Sequence, residues 1–173
     1  RYVFHTSLTM EGNSAMGKDN RMGYFPTFGF SWNAQNEPFL ANTKEWMDEA
    51  KIRVSLGQSG KSPNGASLYL GAFSSLGEYM DLAAIHPVRM QLDNWKWETT
   101  TEYNLGVDLS FLKGRLKFTF DYYHKFIKDL LQTDVKIPSS TGYTKIKYYN
   151  SGKMENKGWE FRTDATLLQK KDW

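Results

Sequence analysis

The amino-acid sequence predicts an all-β fold of long antiparallel strands, and three observations support this prediction. Apolar and polar side chains alternate through six segments of about ten residues, which is the two-residue period of an extended strand. Aromatic residues form 16% of the 173 residues, and aromatic side chains favour sheets. No apolar run is long enough for a transmembrane helix. Strands of this length match the roughly 9 to 11 residues that cross a bilayer, whereas soluble strands have nearer 5 or 6.

The first three predicted strands cover residues 1–11, 23–34 and 50–59. In each of them the apolar side chains occupy even-numbered positions, so that one side of the strand is apolar and the other polar. Pro26 interrupts the second strand, and because proline cannot donate to a ladder it predicts a bulge or the beginning of the strand there.

The fourth and fifth predicted strands, residues 101–111 and 116–126, form a hairpin. If Lys113 and Gly114 are its two central turn residues, apolar positions face apolar ones and an acid faces a base. A shift of one residue would place charges on the apolar face, so the register is expected to be firmly held. The predicted facing pairs are Leu109 with Phe118, Val107 with Phe120, Leu105 with Tyr122, and Glu102 with Lys125.

A sixth strand is predicted over residues 158–168. The connection over residues 33–49 is expected to contain one helical turn at residues 43–48, with its first residue as N-cap. Residues 60–96 and 128–157 lack a clear period and are interpreted as long irregular segments. Long connections at one edge and short ones at the other are typical of outer-membrane barrels.

Two classes of protein fit the alternating pattern. In a transmembrane barrel the apolar face meets lipid, whereas in a soluble carbohydrate-binding or scaffold domain it would pack on a second sheet. An enzyme acting on glycans is a third possibility, but it would need a pair of carboxylates at glycosidase separation. The face that distinguishes the first two classes contains Leu105, Val107, Leu109, Phe118, Phe120 and Tyr122.

Composition and motif spacing exclude several other functions. The net charge of +3 is small and the basic residues are dispersed, so no nucleic-acid partner is expected. Cysteine is absent, which excludes disulfides and thiolate chemistry. His5, His86 and His124 are far apart in the sequence, so neither a metal site nor a cofactor is predicted. No nucleophile and base occur together, and no catalytic residue is predicted.

Several sequence blocks closely resemble one family. Residues 17–26 (GKDNRMGYFP), 52–60 (IRVSLGQSG) and 97–108 (WETTTEYNLGVD) are similar to the barrel of the SusC/RagA-type TonB-linked outer-membrane transporters of Bacteroidetes. Two further blocks agree with the same family, namely DYY at residues 121–123 followed by KDLL, and PSSTGY at residues 138–143 followed by NSGKMENKGWE.

The resemblance implies a protein of the Gram-negative outer membrane whose barrel has about 22 strands around a plug. Such a transporter would import an oligosaccharide or a peptide, with a SusD-like surface lipoprotein as its lid and TonB as its energy source. Residues 1–173 would supply about six of the strands, without a plug domain or a TonB box, so that TonB would act through a region outside this chain.

The resemblance also suggests roles for individual residues. Charged side chains opposite the apolar face are expected to line a water-filled lumen and to neutralise each other; they are Glu102, Asp108, Asp121, Lys125, Glu160 and Arg162. Aromatic side chains in or beside the long segments either pack the loops or contact the cargo or the lid; they are Tyr69, Tyr79, Trp95, Trp97, Tyr143, Tyr148 and Tyr149.

Overall fold

The computed structural model describes residues 1–63, 68–143 and 145–167. Their regular structure consists of strands and short 3-10 helices. The strands are β1 (Tyr2–Gly12), β2 (Met22–Asn33), β3 (Met47–Lys61), β4 (Ala72–Tyr79), β5 (Leu82–Arg89), β6 (Glu98–Phe111), β7 (Leu116–Lys128), β8 (Leu131–Lys136), β9 (Lys145–Asn150) and β10 (Lys153–Ala165). The 3-10 helices are Lys18–Asn20, Ala34–Asn36, Pro38–Thr43 and Ser139–Thr141.

Six strands pair in one antiparallel sheet in the order β1, β2, β3, β6, β7, β10, which confirms the predicted fold class. The strands β4 and β5 form a separate hairpin, and β8 and β9 form another. Both hairpins lie in connections at one end of the sheet, together with residues 13–21. We call this the loop end. The connections at residues 34–46 and 112–115 lie at the opposite end, which we call the turn end.

The hairpin of β6 and β7 has the predicted register. All four predicted pairs are present, and the ladder closes with Phe111 opposite Leu116. Lys113 has a φ of 58° and Gly114 a φ of 76°, and the Arg115 N–H donates to the carbonyl of Leu112 at 3.4 Å. Leu112 also has a positive φ, of 57°. Positive φ at both central residues is what the type I′ hairpin turn requires, and Lys113 and Gly114 meet this requirement.

One face of the six-stranded sheet, which we call the apolar face, is made of large hydrophobic side chains. Phe4 is 79% exposed, and Trp159 and Phe161 are both 68% exposed. Among the described residues no second sheet packs on this face. A search of the same residues finds no helix with the length and hydrophobicity needed to cross a membrane.

The interpretation of residues 60–96 and 128–157 as irregular is wrong, because each segment contains a hairpin. In the first hairpin the register shifts between Ala72 and Phe73 and again between Ser75 and Gly77. After each shift, the side chains of alternate residues point to the opposite side of the hairpin from before. The two-residue alternation of the sequence is therefore lost. The strands of the second hairpin, β8 and β9, have only six residues each, which leaves little alternation to detect.

The helical turn predicted at residues 43–48 is also wrong. A 3-10 helix runs from Pro38 to Thr43 instead, and β3 already begins at Met47. The fixed φ of Pro38 favours a helix start at that residue. Thr43 ends the helix, and its hydroxyl donates to the carbonyl of Leu40 at 2.8 Å.

Two further predictions differ in detail from the structure. Pro26 lies inside β2 rather than at its start, and the register with β1 continues through it without a bulge. Pairing of β2 with β3 begins one residue later, at Thr27, so the proline lies where β2 has a partner on one side only.

The sixth strand of the sheet, β10, begins at Lys153 and ends at Ala165, whereas the predicted end, Leu168, lies outside the described residues.

Candidate functional site

The face opposite the apolar one, which we call the polar face, carries an ion-paired cluster at the centre of the sheet. Arg53 of β3 donates from Nε and Nη2 to the two carboxylate oxygens of Asp108 in β6, at 2.7 and 3.0 Å. The same Nη2 lies 3.0 Å from Oδ1 of Asp121 in β7. A bidentate arginine pair has both strength and a fixed geometry. One guanidinium group therefore joins three neighbouring strands.

The ion-paired cluster requires a glycine beneath it. Gly106 lies opposite Arg53 in one ladder and opposite Asp121 in the other. A Cβ atom at this position would lie 2.5 Å from Oδ1 of Asp121 and 2.6 Å from Nη2 of Arg53. Only glycine, which has no Cβ atom, allows the side chains of Arg53 and Asp121 to approach the backbone of β6 this closely.

The other predicted lumen residues lie on the same polar face. Lys125 faces Glu102 in the register of β6 and β7, and Glu160 faces Asp121 in that of β7 and β10. Arg162 pairs along its own strand, with 2.9 Å between its Nε and Oδ2 of Asp164. A shallow groove of about 440 Å³ runs over this region, lined by Arg53, Glu102, Asn104, Asp121, Tyr123, Lys125 and Glu160.

The described residues contain no group of three or more histidine, aspartate or glutamate side chains that could hold a metal ion. His124 pairs with one carboxylate, and 2.9 Å separate its Nε2 from Oε1 of Glu155. In the central cluster of the polar face, the carboxylates of Asp108 and Asp121 share one guanidinium, which balances one of their two negative charges.

Trp97 is buried beneath the loop end. Its indole N–H donates to the carbonyl of Asn20 at 2.9 Å, and its ring meets Phe25 edge to face at 5.6 Å between centroids. Met16 completes this small core and is fully buried. Trp97 therefore joins the connection before β2 to the start of β6.

Trp95 packs between the two hairpin-bearing loops. It is 3% exposed, stacks on Tyr148 at 5.3 Å between ring centroids, and belongs to a cluster with Ala15 and Leu68. Tyr69 lies against the same cluster. The structure thus places both tryptophans in loop packing, where neither ring offers a free face.

Asn150, at the end of β9, fastens one loop to the other. Its amide nitrogen donates to the carbonyls of Lys96 and Asp129, both at 2.9 Å. Its amide oxygen accepts from the Lys96 N–H, also at 2.9 Å. The chain bends at the same level, with a φ of 54° at Asp129 and of 91° at Gly152. One side chain therefore holds the hairpin of β8 and β9 against the segment before β6.

Glu98 adds a second attachment between the same two loops. It is 5% exposed, and its Oε2 accepts from the Leu131 N–H at 2.8 Å, at the start of β8. Lys61 lies 4.0 Å from its other carboxylate oxygen. Neither Glu98 nor Asn150 has a role predicted from the sequence, although both lie in blocks that carry the family resemblance.

The tyrosine candidates differ in their surroundings. Tyr69 accepts a hydrogen bond from Arg21 at 2.9 Å and receives the same guanidinium over its ring. Tyr148 and Tyr149 line a groove of about 690 Å³ between the two loops, and Tyr149 is 47% exposed. Tyr143 is half-buried, and the side chain of Tyr79 lies outside the described part of the structure.

Removal of the Asn150 amide is expected to release the loops without unfolding the sheet. In Asn150→Ala, segment 91–97 loses two hydrogen bonds, each contributing about 1 kcal/mol, so its amides should exchange with deuterium roughly 10 to 30 times faster. Hydrogen exchange followed by mass spectrometry on the full-length protein in detergent measures this. Asn156→Ala, in the exposed part of β10, is the control and should leave the exchange unchanged. Equal exchange in both variants would show that Asn150 does not hold the loops.

A sheet with a continuous apolar face, an ion-paired polar face and hairpin-bearing loops at one end defines a segment of an outer-membrane β-barrel wall. The family model for the TonB dependent receptor-like β-barrel matches residues 1–173, and the chain belongs to this family. Proteins of the family are located in the outer membrane of Gram-negative cells and act as receptors and transporters.

Relatives and solved structures agree with this assignment. The TonB-dependent receptor SusC of Bacteroides thetaiotaomicron is 33% identical over the whole of this chain, which covers 18% of SusC. The TonB-dependent receptor P26 of Formosa agariphila is 32% identical over 98% of this chain and 17% of the relative. The RagAB peptide importer in its closed-closed state shares the fold with a TM-score of 0.83 at 23% identity, over 99% of this chain and 19% of the other. The chain thus spans less than a fifth of these relatives.

Proposed function

We propose that this chain forms part of the wall and the extracellular loops of an outer-membrane, TonB-dependent importer of large nutrients. The continuous apolar face across six paired strands carries the proposal, because only a lipid environment suits so much exposed hydrophobic surface. The relatives SusC and P26 are named as TonB-dependent receptors, and RagAB is described as a peptide importer. An oligosaccharide or a peptide is therefore the proposed cargo.

In this proposal the polar face lines the lumen. Glu102, Asp108, Asp121, Lys125, Glu160 and Arg162 share that face, where alternating charges suit a water-filled passage. The Arg53 cluster fastens three strands together, so the wall holds its shape while cargo passes. The wall performs no chemistry, and we assign it no catalytic role.

The loop end is the proposed extracellular side, because outer-membrane barrels carry their longer loops outside the cell. Tyr149 and the groove between the loops are the favoured contacts for the cargo or for a SusD-like lipoprotein lid, since an exposed aromatic ring beside polar groups suits both. Trp95 and Trp97 support these loops from beneath. Energy from TonB would reach the barrel through a plug region supplied by other parts of the protein.

Uptake by intact cells tests the proposal. Deletion of the gene for the full-length protein should abolish uptake of at least one labelled oligosaccharide or peptide from a panel. The lost uptake should be TonB-dependent and should return when the gene is restored. Recovery of the full-length protein in the soluble fraction would contradict the proposal, as would unchanged uptake of every member of the panel.

A further inference from the structure

Two lysines face each other on the apolar side of the sheet at its loop end. Lys153 and Lys128 form the outermost pair of the β7–β10 ladder, and both side chains are exposed. They lie on the apolar side because they are in phase with the pair Trp159 and Tyr122. Within the described part of the chain, neither amine has a carboxylate within 4.0 Å.

Such a pair is unfavourable in isolation. Like charges that face each other directly across two strands destabilise the pairing. Lys157 lies on the same face and adds a third amine, 3.6 Å from Glu155. Glu155 is the one acidic side chain of this group, so three amines and one carboxylate leave two positive charges, with His124 beside them.

The position of the lysines relative to the aromatic side chains sets their depth in the membrane. Tyr122 and Trp159 pack at 4.4 Å between ring centroids, next to the pair of Phe120 with Trp159 at 5.3 Å. These rings lie near the middle of the apolar face, at about the level of Phe120. Lys128 and Lys153 are each six residues nearer to the loop end than Tyr122 and Trp159. At about 3.3 Å per residue and a strand tilt of about 45°, this places them about 14 Å further along the membrane normal, roughly half of a hydrocarbon thickness of about 30 Å. Their amines therefore reach the level of the headgroups.

We propose that Lys128 and Lys153 bind the phosphate of a lipid headgroup in the outer leaflet. A phosphate between the two facing amines would accept charge-assisted hydrogen bonds from both and would replace their repulsion by attraction. The hydrocarbon of the same lipid would lie on the apolar face below, against Phe120 and Trp159. The inference rests on the outer-membrane placement of this face and extends it to a defined lipid contact.

Native mass spectrometry of the full-length transporter in detergent tests the site, with diphosphoryl lipid A as the probe. In Lys128→Gln/Lys153→Gln the affinity for this lipid should fall about 30-fold, which corresponds to about 1 kcal/mol for each lysine near a membrane surface. The control Lys113→Gln/Lys117→Gln carries the same charge change at the turn end of the same hairpin and should bind as the wild type does. Dephosphorylated lipid A should bind the wild type as weakly as the intact lipid binds the double variant.

Thermal unfolding separates binding from folding. Without lipid A the double variant should be at least as stable as the wild type, because the repulsion is gone, whereas added lipid A should raise the Tm of the wild type alone. Equal lipid binding by wild type and double variant would overturn the proposal. If an equal concentration of inorganic phosphate displaced the bound lipid A, the site would bind free phosphate rather than a lipid headgroup, and the proposal of a lipid ligand would be overturned. Uptake and membrane insertion are expected to be unchanged in both double variants, so failure of this proposal is distinct from failure of the importer function.

Discussion

Phe120→Arg is expected to destabilise the membrane-inserted protein by about 2 to 4 kcal/mol, the cost of a cationic side chain near the bilayer midplane. Phe120 lies on the apolar face between Val107 of β6 and Phe161 of β10, and it stacks on Trp159. An arginine there would lose this packing and would have to carry its charge into hydrocarbon. Urea-induced unfolding of the full-length protein from lipid vesicles, followed by tryptophan fluorescence, measures the change.

The neighbouring position supplies the control for this substitution. Thr119 precedes Phe120 on β7 and points to the polar face, opposite Asp108. Thr119→Arg should therefore change the free energy of unfolding by less than about 1 kcal/mol, since lumen positions accept charge. If the two arginine variants were equally stable, the assignment of the apolar face to lipid would be wrong.

Arg53→Met should cost about 2 kcal/mol, because it leaves two half-buried carboxylates close together without their shared cation. The same unfolding experiment applies. A double-mutant cycle with Asp108→Asn isolates the pair, and the cost of Arg53→Met should be smaller in that background because one of the stranded charges is gone.

Arg162→Met is the matched control for the arginine cluster. Arg162 is also on the polar face, but its guanidinium is largely exposed, and its ion-pair partner among the described residues is Asp164 on the same strand. Exposed pairs of this kind contribute about 0 to 1 kcal/mol, so the variant should be close to the wild type. A loss as large as that of Arg53→Met would mean that charge alone, rather than the bidentate geometry, stabilises the wall.

The strands of the sheet could be predicted because one side of each strand faces lipid and the other faces water. This requirement produces a strict two-residue alternation of apolar and polar side chains in the sequence. The β6–β7 hairpin shows this best, since its turn residues and both apolar faces predict the same register. The β4–β5 hairpin could not be predicted in the same way. Its register shifts twice within eight residues, and it lies outside the membrane-facing pattern.

The interactions that shape the loop end were harder to predict. The contacts of Asn150 and Glu98 join a side chain to the backbone of a segment far away in the sequence, and such pairs leave no periodic signal. Aromatic composition drew attention to Trp95 and Trp97, but composition does not distinguish a buried ring from one that meets a ligand. The placement of each ring depended on tertiary packing.

The Asn150 attachment has a mechanical consequence for the outer rim. The hairpin of β8 and β9 would otherwise pivot where Asp129 and Gly152 bend the chain. Because the Asn150 amide and Glu98 hold it at separate points, a pull on this hairpin is transmitted into the segment ahead of β6 instead of being absorbed at the bend. We therefore expect the two loops to move together, so that a displacement of one hairpin also displaces the segment ahead of β6.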